Sequence, residues 1–334
     1  MTVHEIISEL KSRSFRPVYL LSGEEPYYID MITDYIMKNV LTEEEKAFNQ
    51  TVLYGKDTDA VAIVNSAKRY PMMASYQLII LKEAQQVKDI EKLAFYAEKP
   101  LKSTILVINY KHNAYDKRKK LYKAVKSSGG AVMESPRLYE NKMPDWIKSW
   151  LNKRNWNIEP EACMLLVEYL GTDLAKIANE LEKLIISIPG QDKRITLASI
   201  ERNIGISKDY NTFELQKALV QKNVLKANRI INYFAKNQKT NPVNLTITSL
   251  YFFFSKVFIW HFIKDKSSRN IASVLKIHPY FVSEYELAAK RYNPRKTAMI
   301  ISWLRDYDMR SKGYGNSSAT EGDLLKELVY KILH

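Results

Sequence analysis

Apolar residues bunch into short runs through the first 140 positions and then recur at helical intervals to the end of the chain. The runs are 18–22 (VYLLS), 51–54 (TVLY), 78–81 (LIIL), 104–109 (TILVIN) and 131–134 (AVME). Runs this short, without polar alternation, read as strands buried on both faces. Helical patterns lie between them, at 27–40, 60–69, 88–97 and 117–126. Strand–helix alternation predicts a parallel sheet with helices on both sides. After Pro136 no further strand is expected. Segments 143–153, 160–170, 174–187 and 197–204 read as a small helical bundle, in which Gly171 ends one helix and Asp173 caps the next. Residues 206–211 (ISKDYN) form a polar linker. From 212 to 333 the pattern is helical throughout, with Pro242, Pro279 and Pro294 placed at helix starts. The expected organisation is an α/β domain over 1–140, a small helical domain over 141–207 and a larger all-α domain over 208–334.

Composition agrees with a folded chain of several domains: 334 residues, of which 46% are apolar. Its one cysteine, Cys163, stands among apolar neighbours and reads as a core residue, which fits a reducing compartment. No basic start followed by an apolar core is seen at the N-terminus, so no signal peptide is expected. The most apolar stretch, 245–263, is long enough to span a membrane. It carries Lys256 and His261 and has amphipathic helices on both sides, so a buried helix is preferred. The charge is unevenly spread. Residues 210–334 hold 20 Lys and Arg against 9 Asp and Glu, a net +11, whereas the first 209 residues net only +3. A basic helical domain points to a polyanionic partner, and a solvated helical surface is the plainer alternative.

In nucleotide-binding α/β domains, the turn after the first strand carries G-x-x-x-x-G-K-[ST]. Its backbone N–H groups and lysine hold the phosphates, and its hydroxyl holds magnesium. Here the turn reads Gly23-Glu24-Glu25-Pro26-Tyr27-Tyr28-Ile29-Asp30. Only Gly23 is in place. Tyr28 replaces the second glycine, Ile29 the lysine and Asp30 the hydroxyl residue. Glu24 and Glu25 would repel a triphosphate, and Pro26 removes a donor. A later strand normally ends in Asp-Glu; here it ends in Leu81-Lys82-Glu83. With both elements lost, ATP hydrolysis is not expected. The five histidines show no metal-ligand spacing, and no nucleophile motif is present.

Segments in order along the chain carry a family resemblance. They are 17–30 (PVYLLSGEEPYYID), 70–81 (YPMMASYQLIIL), 117–125 (KRKKLYKAV), 171–184 (GTDLAKIANELEKL), 213–219 (FELQKAL) and 306–315 (DYDMRSKGYG). Together they resemble the delta subunit of the bacterial DNA polymerase III clamp loader. The resemblance implies an AAA+-like (RecA-like) domain with a degenerate nucleotide site, then a helical lid and a helical collar. It implies no cofactor, no metal, no membrane and a cytoplasmic location. The implied partners are the sliding clamp (beta), the tau/gamma and delta prime subunits, and primer-template DNA. The family's activity is that of the polymerase holoenzyme, without ATP hydrolysis by this subunit. It assigns the clamp contact to Met72 and Met73, with Tyr70, Pro71, Ala74, Ser75, Tyr76 and Gln77 around them. An exposed apolar pair on a turn suits that role, since methionine fills a partner's pocket adaptably. The plainer alternative is that the two side chains cap the α/β core. In the collar, Tyr314 and the Tyr280/Phe281 position match aromatics that approach DNA, with Arg310 and Lys312 as basic neighbours. Rings beside cations suit nucleic acid, because bases stack and phosphates pair.

Two other functions compete with a clamp-opening subunit. One is a divergent DNA-dependent ATPase, which the missing lysine opposes. The other is a basic DNA-binding protein unrelated to clamps.

Overall fold

The computed structural model describes residues 1–188, 193–204, 210–316 and 318–334. It divides into two compact units, Met1–Leu138 and Tyr139–His334. Most of the linker expected at 206–211 lies outside the described residues.

The first unit is built on five parallel strands: β1 (Val18–Gly23), β2 (Gln50–Tyr54), β3 (Gln77–Lys82), β4 (Thr104–Lys111) and β5 (Ala131–Glu134). Their order in the sheet is β2-β3-β4-β1-β5. Each expected strand is present within two residues at either end. Helices α1 (Val3–Lys11), α2 (Pro26–Asn39), α3 (Glu43–Asn49), α4 (Ala60–Ala67), α5 (Ala94–Glu98) and α6 (Lys120–Ser127) complete the unit. The continuous apolar runs are explained by the two cores. Val18, Leu20, Ile79, Leu81, Leu106 and Ile108 face α4, α5 and α6. Tyr19, Leu21, Leu78, Ile80, Ile105 and Val107 face α1 and α2. Alternate residues of one strand thus serve opposite faces, and each fully buried aliphatic side chain contributes about 1.5–3 kcal/mol.

One helical expectation fails. Residues 88–97 form a 3₁₀ turn, Ile90–Leu93, before the short α5. Asp89 at its start has φ 54°, a left-handed conformation that no helix interior admits. A helix over 117–126 likewise begins later, at Lys120, after an Asp116–Arg118 turn.

The second unit is helical: α7 (Met143–Asn152), α8 (Pro160–Leu170), α9 (Leu174–Ser187), α10 (Leu197–Ile204), α11 (Thr212–Val220), α12 (Val224–Lys236), α13 (Val243–Phe262), α14 (Ser268–Leu275), α15 (Val282–Arg291), α16 (Pro294–Ser311) and α17 (Glu321–Leu333). Strands do not stop at Pro136 as expected. Two-residue strands β6 (Asn157–Ile158) and β7 (Arg194–Ile195) pair in parallel. The apolar stretch around α13 passes by length and composition as a membrane span. Eight of its residues, from Val243 to Trp260, are buried against the unit's other helices, as expected of a core helix. Cys163 is buried, and burial pushes its thiol up to about 12.

Candidate functional site

The turn after β1 closes on itself. Strand β1 ends at Gly23 and α2 begins at Pro26, so only Glu24 and Glu25 separate them. Two residues cannot wrap a phosphate. Glu25 does not face outward as its charge suggested. It is buried, and its carboxylate accepts from the Tyr27 N–H at 3.0 Å, capping α2. Its backbone N–H donates to Ser135 O, and Ser135 Oγ donates to Glu25 O, which ties the turn to the end of β5. Gly23 has φ 144°, and a Cβ there would lie 2.0 Å from Ser135 O. Ile29, where a lysine would reach phosphate, is fully buried in the core. Tyr28 packs on the same core.

The charges left behind are paired internally. Asp30 lies 2.7 Å from Lys111 Nζ, and Glu83 lies 3.7 Å from the same nitrogen. Lys111 stands at the end of β4, next to Gly23 in the sheet register. An ammonium thus sits between Asp30, in the place of the magnesium-binding hydroxyl, and Glu83, which follows the Lys82 that stands for the magnesium-associated aspartate. Its position 81 residues from Asp30 left no local signal in the sequence.

A second turn, between α4 and β3, has the opposite character. Met72 and Met73 are 64% and 104% exposed, and Tyr70 is 76% exposed. Neither methionine caps the core. The backbone beneath them is fixed. Asn49, the last residue of α3, is buried; its Oδ1 accepts from the Met72 N–H at 2.6 Å, and its Nδ2 donates to Met72 O at 2.9 Å. Met73 adopts φ 53°. Pro71 is half-buried and Ser75 exposed. Ala74 and Tyr76 pack onto the sheet core, Tyr76 edge-on to Phe15. Gln77 is buried and starts β3. The turn is therefore rooted at both ends and open at its tip.

The residues expected to approach DNA separate into two places. Tyr314 is 69% exposed between Gly313 and Gly315, both at positive φ. Lys312 pairs with Asp308 at 2.6 Å, and Arg310 lies 3.8 Å from Glu327 and over the Tyr307 ring. These pairs are solvent-exposed and weak, so both cations remain open to exchange for phosphate. Tyr280 is exposed in the 3₁₀ turn Pro279–Phe281, with its hydroxyl 3.4 Å from Glu161, whose charge raises the phenol's pKa. Phe281 turns inward, 7% exposed, and stacks on Phe213. Exposed rings also line α13, at Tyr251, Phe252 and Phe262.

Comparison with known proteins finds similar chains. Residues 19–134 match the family described as DNA polymerase III, delta subunit. The chain is 26% identical to DNA polymerase III subunit delta of Bacillus subtilis, over 92% of each protein. It is 24% identical to the probable DNA polymerase III subunit delta of Aquifex aeolicus, over 64% of this chain and 63% of that one. The solved structure of the Bacillus subtilis DNA clamp loader delta protein shares its fold, with a TM-score of 0.58 at 23% identity over 99% of both chains. Residues 19–134 thus match the DNA polymerase III delta-subunit family, and along its whole length the chain is similar to a delta subunit and shares the fold of a solved one.

Proposed function

We propose that this subunit grips the sliding clamp through Met72 and Met73 and lets the clamp open for loading onto primed DNA. The observation that carries this reading is the contrast at the tip of a rooted turn: two apolar side chains in water on a fixed backbone. Such side chains cost solubility and serve as anchors in a partner's pocket. Tyr70, Pro71, Ala74, Ser75, Tyr76 and Gln77 surround the anchor. ATP is bound by sister subunits and not here, where Glu25, Ile29 and the Lys111 pairs fill the turn; the tau/gamma and delta prime subunits are its partners in the loader. Residues 141–207 act as the lid and 208–334 as the collar. The exposed rings of α13 offer an apolar face to sister subunits. DNA approaches the basic collar at Tyr314 and Tyr280, with Arg310 and Lys312 as phosphate partners and Phe281 supporting Tyr280 from within. The protein works in the cytoplasm.

Co-elution of the purified chain with a sliding clamp, without ATP, tests the reading directly. A stable complex is expected. Separate elution of the two proteins at micromolar concentration, with DNA binding retained, would favour a DNA-binding protein unrelated to clamps.

A further inference from the structure

The Met72–Met73 turn is short, lacks glycine, and places Met73 at φ 53°. A non-glycine residue in that region carries strain that its surroundings must offset. No regular ladder does so, since α4 has ended at Ala67 and β3 begins at Gln77. The offsetting contact comes from elsewhere in the chain. Asn49 is 2% exposed and holds both backbone groups of Met72, while its Nδ2 also donates to Glu45 O at 3.1 Å inside α3. Asn49 directly precedes β2, whose first residue, Gln50, pairs with Leu78 of β3. Sheet pairing thus brings the end of α3 beside the turn, and one amide side chain reads both the donor and the acceptor of a single residue.

We infer that Asn49 is the positioning residue of the clamp-binding turn, holding the Met72 backbone so that Met72 and Met73 stand outward before the clamp arrives. The inference rests on the clamp-contact reading above. Its physical basis is preorganisation: a turn already in its docking form loses less freedom on binding. A carboxamide carries its acceptor and its donors on separate atoms, so it can satisfy the Met72 N–H and the Met72 carbonyl at once. Asn49 itself touches no partner.

The test uses the full chain with Asn49→Ala and Asn49→Ser. Clamp affinity, melting temperature and amide hydrogen exchange across residues 70–77 are measured for each. Clamp binding is expected to weaken about tenfold in Asn49→Ala, with a smaller loss in Asn49→Ser, which keeps at most one of the two contacts. Exchange should quicken at Met72 and its neighbours while the sheet stays protected. Wild-type affinity with quickened exchange overturns the inference, because the turn then works unlatched. Exchange that quickens across the whole sheet also overturns it, since Asn49 would then be a structural residue. If Asn49→Ala does not fold, Asn49→Ser carries the same comparison. The double variant Met72→Ala/Met73→Ala separates the two readings. If it binds the clamp normally, the anchor reading fails. If it loses binding while the Asn49 variants do not, only the role of Asn49 fails.

Discussion

Two turns of the same sheet have been treated in opposite ways. At the end of β1, most groups that might meet a ligand have a partner inside the protein: Glu25 caps a helix, Ile29 fills the core, and Asp30 and Glu83 share Lys111, while Glu24 alone stays exposed among them. Before β3, the backbone is equally well held, by Asn49, yet the side chains at the tip touch little but water. One turn spends its polar contacts inside the protein, and the other withholds apolar contacts from it, which is the contrast expected if recognition of a partner protein rather than of phosphate is the task. The difference is legible only when both turns are seen with their partners, because the exposure of Met72 and the burial of Glu25 both run against residue type.

The comparison can be broken most sharply at the open turn. Met72→Ala with Met73→Ala should reduce clamp affinity at least about 30-fold, since truncating a buried hot-spot side chain costs about 2–4 kcal/mol, with little change in melting temperature. A large drop in thermal stability instead would mean that the pair supports the core. Next in size is the closed turn. Ile29→Lys places the missing lysine where nucleotide chemistry would want it. The expected result is a loss of about 3–5 kcal/mol of stability and no ATP binding, as an unpaired charge enters the core. Titration with a fluorescent ATP analogue and a urea melt decide between outcomes. Nucleotide bound without loss of stability would show that the place is still open.

The Tyr314 turn extends the contrast to the second unit, as another exposed tip. Tyr314→Ala should weaken DNA binding by the assembled loader by about 1–3 kcal/mol per base stacked on the ring. Lys312→Ala and Arg310→Ala should each flatten the salt dependence by about one phosphate contact. Clamp binding without DNA should be unchanged in all three. Smallest is Lys111→Met, which strips the shared cation from Asp30 and Glu83. Asp30 is half-exposed, so a loss of no more than about 1 kcal/mol is expected, shrinking further in high salt. A much larger loss would make the ion pairs the main support of the closed turn.

What could be read from the sequence divides along the range of the interactions. The five strands were visible because each is a contiguous apolar run, and both faces of the sheet are covered. The methionine pair was singled out by the family resemblance, and only the structure shows both side chains exposed and not capping the core. Residues 88–97 misled because their apolar spacing fits a helix while Asp89 reverses the backbone. The pairing of β6 with β7 was invisible, since two residues carry no pattern. Asn49 and Lys111 were missed for a single reason. Their partners lie 23 and 81 positions away, and neither residue type announces such a contact. Nothing in residue type marks Glu25 as buried, because a carboxylate beside another carboxylate reads as a surface charge until its helix cap is seen.

Gly23 is the one position of the phosphate-loop pattern that this chain retains, and the geometry gives it an occupation that has nothing to do with phosphate. With the Ser135 carbonyl oxygen 2.0 Å from where a methyl would stand, the junction of β1 and the end of β5 acts as a gauge that admits only a hydrogen atom. Its retention therefore says nothing of ancestry or ligand. One letter of a cofactor's signature can thus be held in place by the bare width of a gap, with no cofactor involved.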